Sequence, residues 1–514
     1  MIEIDGRSLS LEMLERVARG REEVRLSPRA LPAIGASRAV IERALGSRAV
    51  VYGVNTGFGE LKNRRVGDAD LARLQVNLLR SHATGVGRPL ATAEVRALGL
   101  LRANSLALGV SGVRPVLVER VLELLNRGVH PVVPEQGSVG ASGDLAPLAH
   151  FALALIGEGD AEFEGNLHPG AQALAKARLE PLALEPKEGL ALINGTQLST
   201  ALLALTLASA DRLVLAALGA TALSIEALLG SVRAFDPRAM AVRPHAGQAA
   251  VARALIGLTE GSAVIASHED CDRIQDPYSL RCVPQVVGAS LDALAYARAT
   301  VEREMNAATD NPLVFADGDE VISSGNFHAQ YVGLASDHVA AALAEIGSIA
   351  ERRIDLLTDE KRSAGLPAFL TARPGLHSGL MLVQYTAAAL VSENKTLCFP
   401  ATVDSIPTSA GQEDHVSMAP IAARKARAVL ENAARIVACE LLAGAQALEF
   451  RKPLVPGRGT AQVLAAVRAL VPAVEDDRPL GKDLERLAQA LLDGAFTAAV
   501  RPFLPNGTLA GARS

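Results

Sequence analysis

The stretch Gly137-Ser138-Val139-Gly140-Ala141-Ser142-Gly143-Asp144 places three glycines within seven positions, just ahead of an apolar run that starts at Leu145. Glycine at this density serves tight turns and close backbone approach. Ala141, Ser142 and Gly143 are all small, and no Cβ shields the Gly143 nitrogen. Attack of that nitrogen on the Ala141 carbonyl would close a five-membered ring. Loss of water twice, once using the Ser142 hydroxyl, would leave an exocyclic methylene. The same residues also read as a loop and helix cap, with Ser142 or Asp144 as the cap. Composition alone favours that plainer reading.

Other reactive side chains sit in loops, each with a plain alternative. Tyr52 lies in Tyr52-Gly53-Val54-Asn55-Thr56-Gly57-Phe58-Gly59 and is one of only five tyrosines. It is either an active-site residue on a glycine-rich loop or an anchor that packs the loop. Ser81-His82 closes a helical run, where an isolated His is usually a cap or a solvated side chain. Asn194-Gly195 reads first as an Asx turn. In Asp276-Pro277-Tyr278-Ser279-Leu280-Arg281, the arginine is a surface charge or a bidentate carboxylate ligand. Phe327, in Ser324-Gly325-Asn326-Phe327-His328, and Met381 would ordinarily be core. Glu413, in Gln412-Glu413-Asp414-His415-Val416-Ser417, would ordinarily be a solvated helix start.

These loops must be held by helices. Pro115 suits the first position of a helix over Pro115–Arg127. Further helices are expected over 68–82, 91–110, 197–229, 248–258, 285–306, 325–357, 375–395, 419–450 and 481–499. Several exceed ordinary globular length, which predicts a mainly α chain built on a long-helix bundle. The N-terminal segment is more mixed. A hairpin is expected within Met1–Leu11, and a helix capped by Ser27 with Pro28 in its first position. A boundary near Leu198 divides an N-terminal domain, 1–198, from a helical domain, 199–514.

Composition narrows the function classes. Hydrophobic residues make up 49% and aromatics 3% with no Trp, so closely packed Leu and Ala must supply the core. The net charge of -5 and the absence of a basic tail give no sign of a nucleic-acid partner. Cys271, Cys282, Cys398 and Cys439 match no zinc or redox spacing. The apolar region 201–230 is interrupted by Asp211, Arg212 and Glu226, which argues for buried helices rather than a membrane span. The start of the chain does not resemble a signal peptide. A cytoplasmic enzyme is expected, without nucleic acid or membrane as partner. His415 beside Glu413 and Asp414 lacks a persuasive ligand spacing, and no metal is expected.

Ala141-Ser142-Gly143-Asp144, with the motifs around Tyr52, Asn194, Arg281, Phe327 and Glu413, resembles the aromatic amino acid ammonia-lyase family over nearly the whole chain. The resemblance implies the helical fold of the fumarase/aspartase-like superfamily. It also implies that Ala141-Ser142-Gly143 mature autocatalytically into 4-methylidene-imidazole-5-one (MIO), with Asp144 assisting and no external cofactor. It implies Tyr52 as general base for the β-proton and Tyr278 as an aid to proton transfer or to the electrophile. Asn194 and Arg281 would hold the amino acid, while Phe327 and Met381 would lie near the rings. His82 and Glu413 match the histidine-type members, since the phenylalanine type carries an uncharged amide at the latter position. The implied reaction is non-oxidative deamination of L-histidine to trans-urocanate and ammonia. Phenylalanine or tyrosine deamination, or an MIO-dependent aminomutase, is the alternative. A homotetramer with shared active sites is implied as well.

Overall fold

The computed structural model describes residues 1–47, 50–270 and 272–504. Cys271 lies outside the described residues. Cys282, Cys398 and Cys439 are joined in no disulfide among the described residues, and Cys439 is buried. Burial pushes the Cys439 thiol up to about 12, so it packs as a small apolar group rather than reacting.

Contacts divide the chain into two units. The first comprises Met1–Leu205, Arg298–Asp337 and Pro400–Arg424; the second comprises Thr206–Ala297, His338–Phe399 and Lys425–Ser514. This differs from a single boundary at 198/199. Four long helices, Gln197–Ala227, Val283–Glu304, Gln330–Thr358 and Ala419–Glu449, begin in one unit and end in the other. The connections near 311–328 and 405–418 therefore fold with the N-terminal part, and no one cut along the sequence separates the two.

The first unit is mixed. Ile2–Ile4 pairs in parallel with Val24–Leu26, so the expected N-terminal hairpin is replaced by a pairing across the intervening helix Leu11–Ala18. That helix alternates buried Leu11, Leu14 and Val17 with charged residues, and Ser10 caps it by accepting from Met13 N. The next helix begins at Leu31 rather than at Pro28, with Pro32 in its first turn. Short strands Val129–Pro131, Asp160–Phe163 and Asn166–Pro169 form a three-stranded antiparallel sheet. Helix Pro115–Arg127 starts and stops as expected, with Pro115 first and Gly128 at φ +71° after it. Only glycine takes that left-handed C-terminal position cheaply.

The second unit contains no strand among the described residues. Its helices are rich in buried Leu and Ala, which carry little side-chain entropy and let helix axes approach closely. Gly247 and Gly288 mark one such crossing: a Cβ on Gly247 would stand 2.2 Å from the Gly288 carbonyl oxygen. One helix, Gln197–Ala227, is long and apolar enough to cross a membrane, but 89% of its apolar window is buried inside the protein. That is the position of a core helix.

Candidate active site

The stretch that ends in Asp144 leads directly into helix Leu145–Leu155, yet it is not an ordinary cap. Asp144 occupies the cap position without making a side-chain cap hydrogen bond. Its carboxylate is fully buried and accepts from Ser199 N at 2.8 Å and Ser199 Oγ at 2.9 Å. Burial pushes this carboxyl up to about 6, against the Ser199 bonds, and the charge of Glu304 adds to the rise. Ser142 also turns away from the helix, and its Oγ donates to Glu413 Oε1 at 3.2 Å.

The backbone around Ser142 is confined on both sides. Gly143 sits at φ +75°, and a Cβ there would meet the Gly195 carbonyl oxygen at 2.1 Å. The two glycines form a parallel bridge, and Asp144 N donates to Gly195 O at 2.7 Å. From the other direction, Ser417 Oγ donates to Gly140 O at 3.1 Å and Met418 N donates to Val139 O at 2.8 Å. Ala141 packs against Val416 and Met418. The loop is thus clamped between 194–199 and 416–418.

Behind Gly195 lies a buried polar network. The Arg102 guanidinium, inside the protein, donates to Asn194 O at 2.8 Å and to Gln197 Oε1 at 3.1 Å. Asn194 Nδ2 donates to Asn311 O at 2.8 Å, whereas Asn194 Oδ1 is buried without a hydrogen-bond partner. An unmet buried acceptor is costly, so this oxygen retains the capacity to accept one more donor. Lys187 and Asp310 add a fully buried ion pair at 2.8 Å.

A cavity of about 1280 Å³ opens in front of the loop, within the first unit. Tyr52, His82, Ala141, Ser142, Asn194, Phe327 and Glu413 all line it. Gly143 and Asp144 lie immediately behind Ser142. Tyr278, Arg281 and Met381 belong to the second unit and do not line this cavity.

The lining side chains have defined hydrogen-bond roles. His82 Nδ1 lies 2.9 Å from Leu78 O. A carbonyl only accepts, so Nδ1 carries the proton and a neutral ring keeps its lone pair on Nε2. Burial lowers the His82 pKa, outweighing the Leu78 bond and the Glu413 charge, so the neutral ring prevails near pH 7. Each Glu413 carboxylate oxygen accepts a hydroxyl, Oε1 from Ser142 and Oε2 from Thr408 Oγ1 at 2.7 Å. Gly59 N donates to Tyr52 Oη at 3.4 Å. Burial raises the Tyr52 phenol above its usual 10.0, with Glu413 adding to the rise and the Gly59 bond opposing it.

Sequence reasoning missed several members of this wall. His328 and His415 both line the cavity and stack with ring centroids 5.9 Å apart and planes within 2°. His328 Nε2 donates to His415 O at 3.2 Å. Both residues stood inside motifs already singled out, but their pairing across 87 positions has no local signal. Arg102, which stands behind the wall rather than in it, was invisible for another reason: an arginine in a helix reads as a surface residue, and two of its acceptors are the remote Asn194 O and Gln197 Oε1. Among the described residues, no group of three or more His, Cys, Asp or Glu is arranged to hold a metal ion.

Known proteins share this sequence and fold over nearly the whole chain. The family model described as aromatic amino acid lyase matches residues 9–469. The histidine ammonia-lyase of Gloeobacter violaceus is 56% identical over 497 residues, covering 97% of each chain. That of Sorangium cellulosum is 54% identical over 503 residues, covering 96% of this chain and 98% of its own. The crystal structure of histidine ammonia-lyase from Trypanosoma cruzi superposes with a TM-score of 0.92 at 40% identity, covering 100% of this chain and 98% of that one. The tyrosine aminomutase of Streptomyces globisporus gives 0.93, also at 40% identity, covering 98% and 99%. A clamped Ala-Ser-Gly loop facing a cavity, on a helical fold shared along its whole length with these enzymes, leaves one assignment: the chain belongs to the aromatic amino acid lyase family.

Proposed function

We propose that this chain removes ammonia from L-histidine without oxidation, giving trans-urocanate, and that Ala141-Ser142-Gly143 close into 4-methylidene-imidazole-5-one to make this possible. The observation that carries the reading is the wall in which Ser142, Glu413, His82, Tyr52 and Asn194 face one cavity. The residues fit such a ring. A Cβ is forbidden at Gly143, the Ser142 hydroxyl is directed into the cavity, and an unpaired Asn194 oxygen stands beside the loop. Once formed, the ring supplies an electrophilic carbon, a reactivity that natural side chains lack.

The chain's own residues then bind, orient and move protons. Glu413 and the Nε2 lone pair of His82 both accept hydrogen bonds, so either can take the single N–H of a neutral imidazole, and the two together suit its protonated form. A bare phenyl ring would leave the carboxylate desolvated and unpaired. Asn194 Oδ1 accepts from the substrate amine. Tyr52 Oη takes the β-proton. The phenol is raised within one chain, so a donor or cation from elsewhere in the assembly must bring it into its working range. Phe327 closes the wall against water.

Arg281 holds the substrate carboxylate and Tyr278 assists at the same site, with Met381 against the substrate ring. None of these three lines the cavity of its own chain, and Tyr278 is 70% exposed. They are therefore assigned to the site of a neighbouring copy in a homotetramer. Large exposed apolar side chains, including Leu382, Tyr385, Phe399, Val403 and Ile406, support assembly. A cytoplasmic location belongs to the same proposal.

The deciding experiment mixes purified protein separately with L-histidine, L-phenylalanine and L-tyrosine, and assays both unsaturated acids and β-amino acids. Urocanate from histidine alone is expected. A β-amino acid product would make the enzyme an aminomutase. No urocanate from protein whose mass shows the ring formed would overturn the substrate assignment.

A further inference from the structure

The turn that carries Arg281 is exposed at its tip but held from beneath. The Arg281 guanidinium lies 4.7 Å from the Tyr278 ring centroid, and Nη2 donates to Gln275 Oε1 at 3.0 Å. Asp276, at the start of the turn, accepts from Ser231 N at 2.7 Å and from Arg273 Nη1 at 3.0 Å. Leu280 is buried.

Beneath the turn, the second-unit portions of three long helices bring together a buried charge cluster. Arg353 comes from Gln330–Thr358, Glu440 from Ala419–Glu449 and Ser224 from Gln197–Ala227. The Arg353 and Glu440 side chains are 1% and 0% exposed. They form a two-pronged pair, Nε to Oε1 at 2.5 Å and Nη2 to Oε2 at 2.8 Å. Ser224 Oγ donates to Glu440 Oε1 at 2.7 Å. The pair leaves Arg353 Nη1 directed elsewhere, and it donates to the carbonyl oxygen of Ser279 at 3.3 Å. Ser279 lies between the two side chains assigned to the substrate.

We propose that Arg353 is a positioning residue for carboxylate recognition. Glu440 fixes the guanidinium plane, and the third donor fixes the Ser279 peptide. The peptide sets the directions in which Tyr278 and Arg281 leave the turn. A buried ion pair adds little net stability compared with apolar residues of the same volume, so stability alone does not account for the pair. Lysine would satisfy the charge of Glu440 but lacks the planar fork that reaches carboxylate and carbonyl together. The inference rests on the assignment of the substrate carboxylate to Arg281.

The test compares two competitive inhibitors of the mature enzyme: imidazole-4-propionate, which has a carboxylate, and 4-methylimidazole, which does not. In Arg353→Lys, binding of the first should weaken about fivefold, the effect of one lost hydrogen bond. Binding of the second should be unchanged, and KM for L-histidine should rise more than kcat falls. The double variant Arg353→Gln/Glu440→Gln leaves no unpaired buried charge and should show the same selective loss. Equal weakening of both inhibitors, or of neither, in variants that assemble normally would overturn the proposal. Arg281→Met is run beside them. If it too fails to discriminate, the carboxylate assignment falls and takes this inference with it. If it discriminates while both Arg353 variants do not, only the role of Arg353 falls.

Discussion

Two loops in this chain carry the residues expected to meet an amino acid, and they are built in opposite ways. Gly137–Asp144 is enclosed: Gly143 has no room for a Cβ, Asp144 is fully buried, and backbone bonds bind the loop to 194–199 and 416–418. The Tyr278–Arg281 turn is open, with its tyrosine mostly exposed and its arginine stacked on that tyrosine. The first arrangement suits chemistry on the chain itself, because a ring can close only where the backbone is held in place. The second suits a part presented to a neighbouring copy. Enclosure predicts steep, all-or-none responses to substitution, whereas presentation predicts graded losses of binding.

The largest expected effect is at Gly143. Gly143→Ala adds a Cβ 2.1 Å from a carbonyl oxygen at a φ of +75°, and both the overlap and the left-handed backbone oppose it. The variant should retain both waters in its intact mass and lose activity by at least about 10³-fold, the scale on which loss of an essential catalytic group acts. A variant with the mass of the cyclised chain would break the idea that this enclosure is needed. Arg281→Met should be milder. Loss of a charged bidentate contact costs on the order of 2–3 kcal/mol, raising KM for L-histidine by about 30- to 150-fold while the mass still shows the ring. Loss of the ring in that variant would mean the two loops are not independent.

The sequence disclosed the enclosed loop and the open turn unequally. The small residues of Ala141-Ser142-Gly143 announce themselves, because a missing side chain is visible in the sequence. Pro115 marks a helix start for a related reason: it restricts the backbone locally. What clamps and anchors the loops was hidden. Arg102 and Arg353 act from inside, on carbonyls 92 and 74 positions away, and arginine is ordinarily a surface residue. The three-residue strands Ile2–Ile4 and Val24–Leu26 are too short for alternation to show. The division into units was hidden too, since a uniform helical period does not reveal where a helix changes its packing partners.

Asp144 tests how tightly the enclosure is drawn. Its carboxyl is raised from 3.8 to about 6, chiefly by burial, so folding favours the protonated form. The contribution to stability is fully present below about pH 4 and is lost as pH rises through about 6. Relative to Asp144→Asn, the parent protein should lose up to about 2–3 kcal/mol between pH 4 and pH 7. Denaturant unfolding of both at several pH values measures this. A parallel pair of curves would mean the buried carboxylate is fully compensated by Ser199.

The smallest expected effect joins the two sides of the cavity. As the proposed base, Tyr52 would work only when ionised, so the rate should climb with pH toward the pKa of the phenol. Burial is the main reason that pKa is high, and the Glu413 charge adds to it. Glu413→Gln removes the added part and leaves the burial, so the rising limb of kcat should move to lower pH by less than about one unit. The same substitution removes a charge that favours protonated His82, which keeps that ring neutral to still lower pH and narrows no part of the active range. Saturating L-histidine separates this shift from weakened binding, because kcat then reports the bound enzyme alone. A limb that stays in place, or moves to higher pH, would mean that Glu413 and Tyr52 do not sense each other across the cavity during the reaction. Glu413 would then select the substrate without tuning the base.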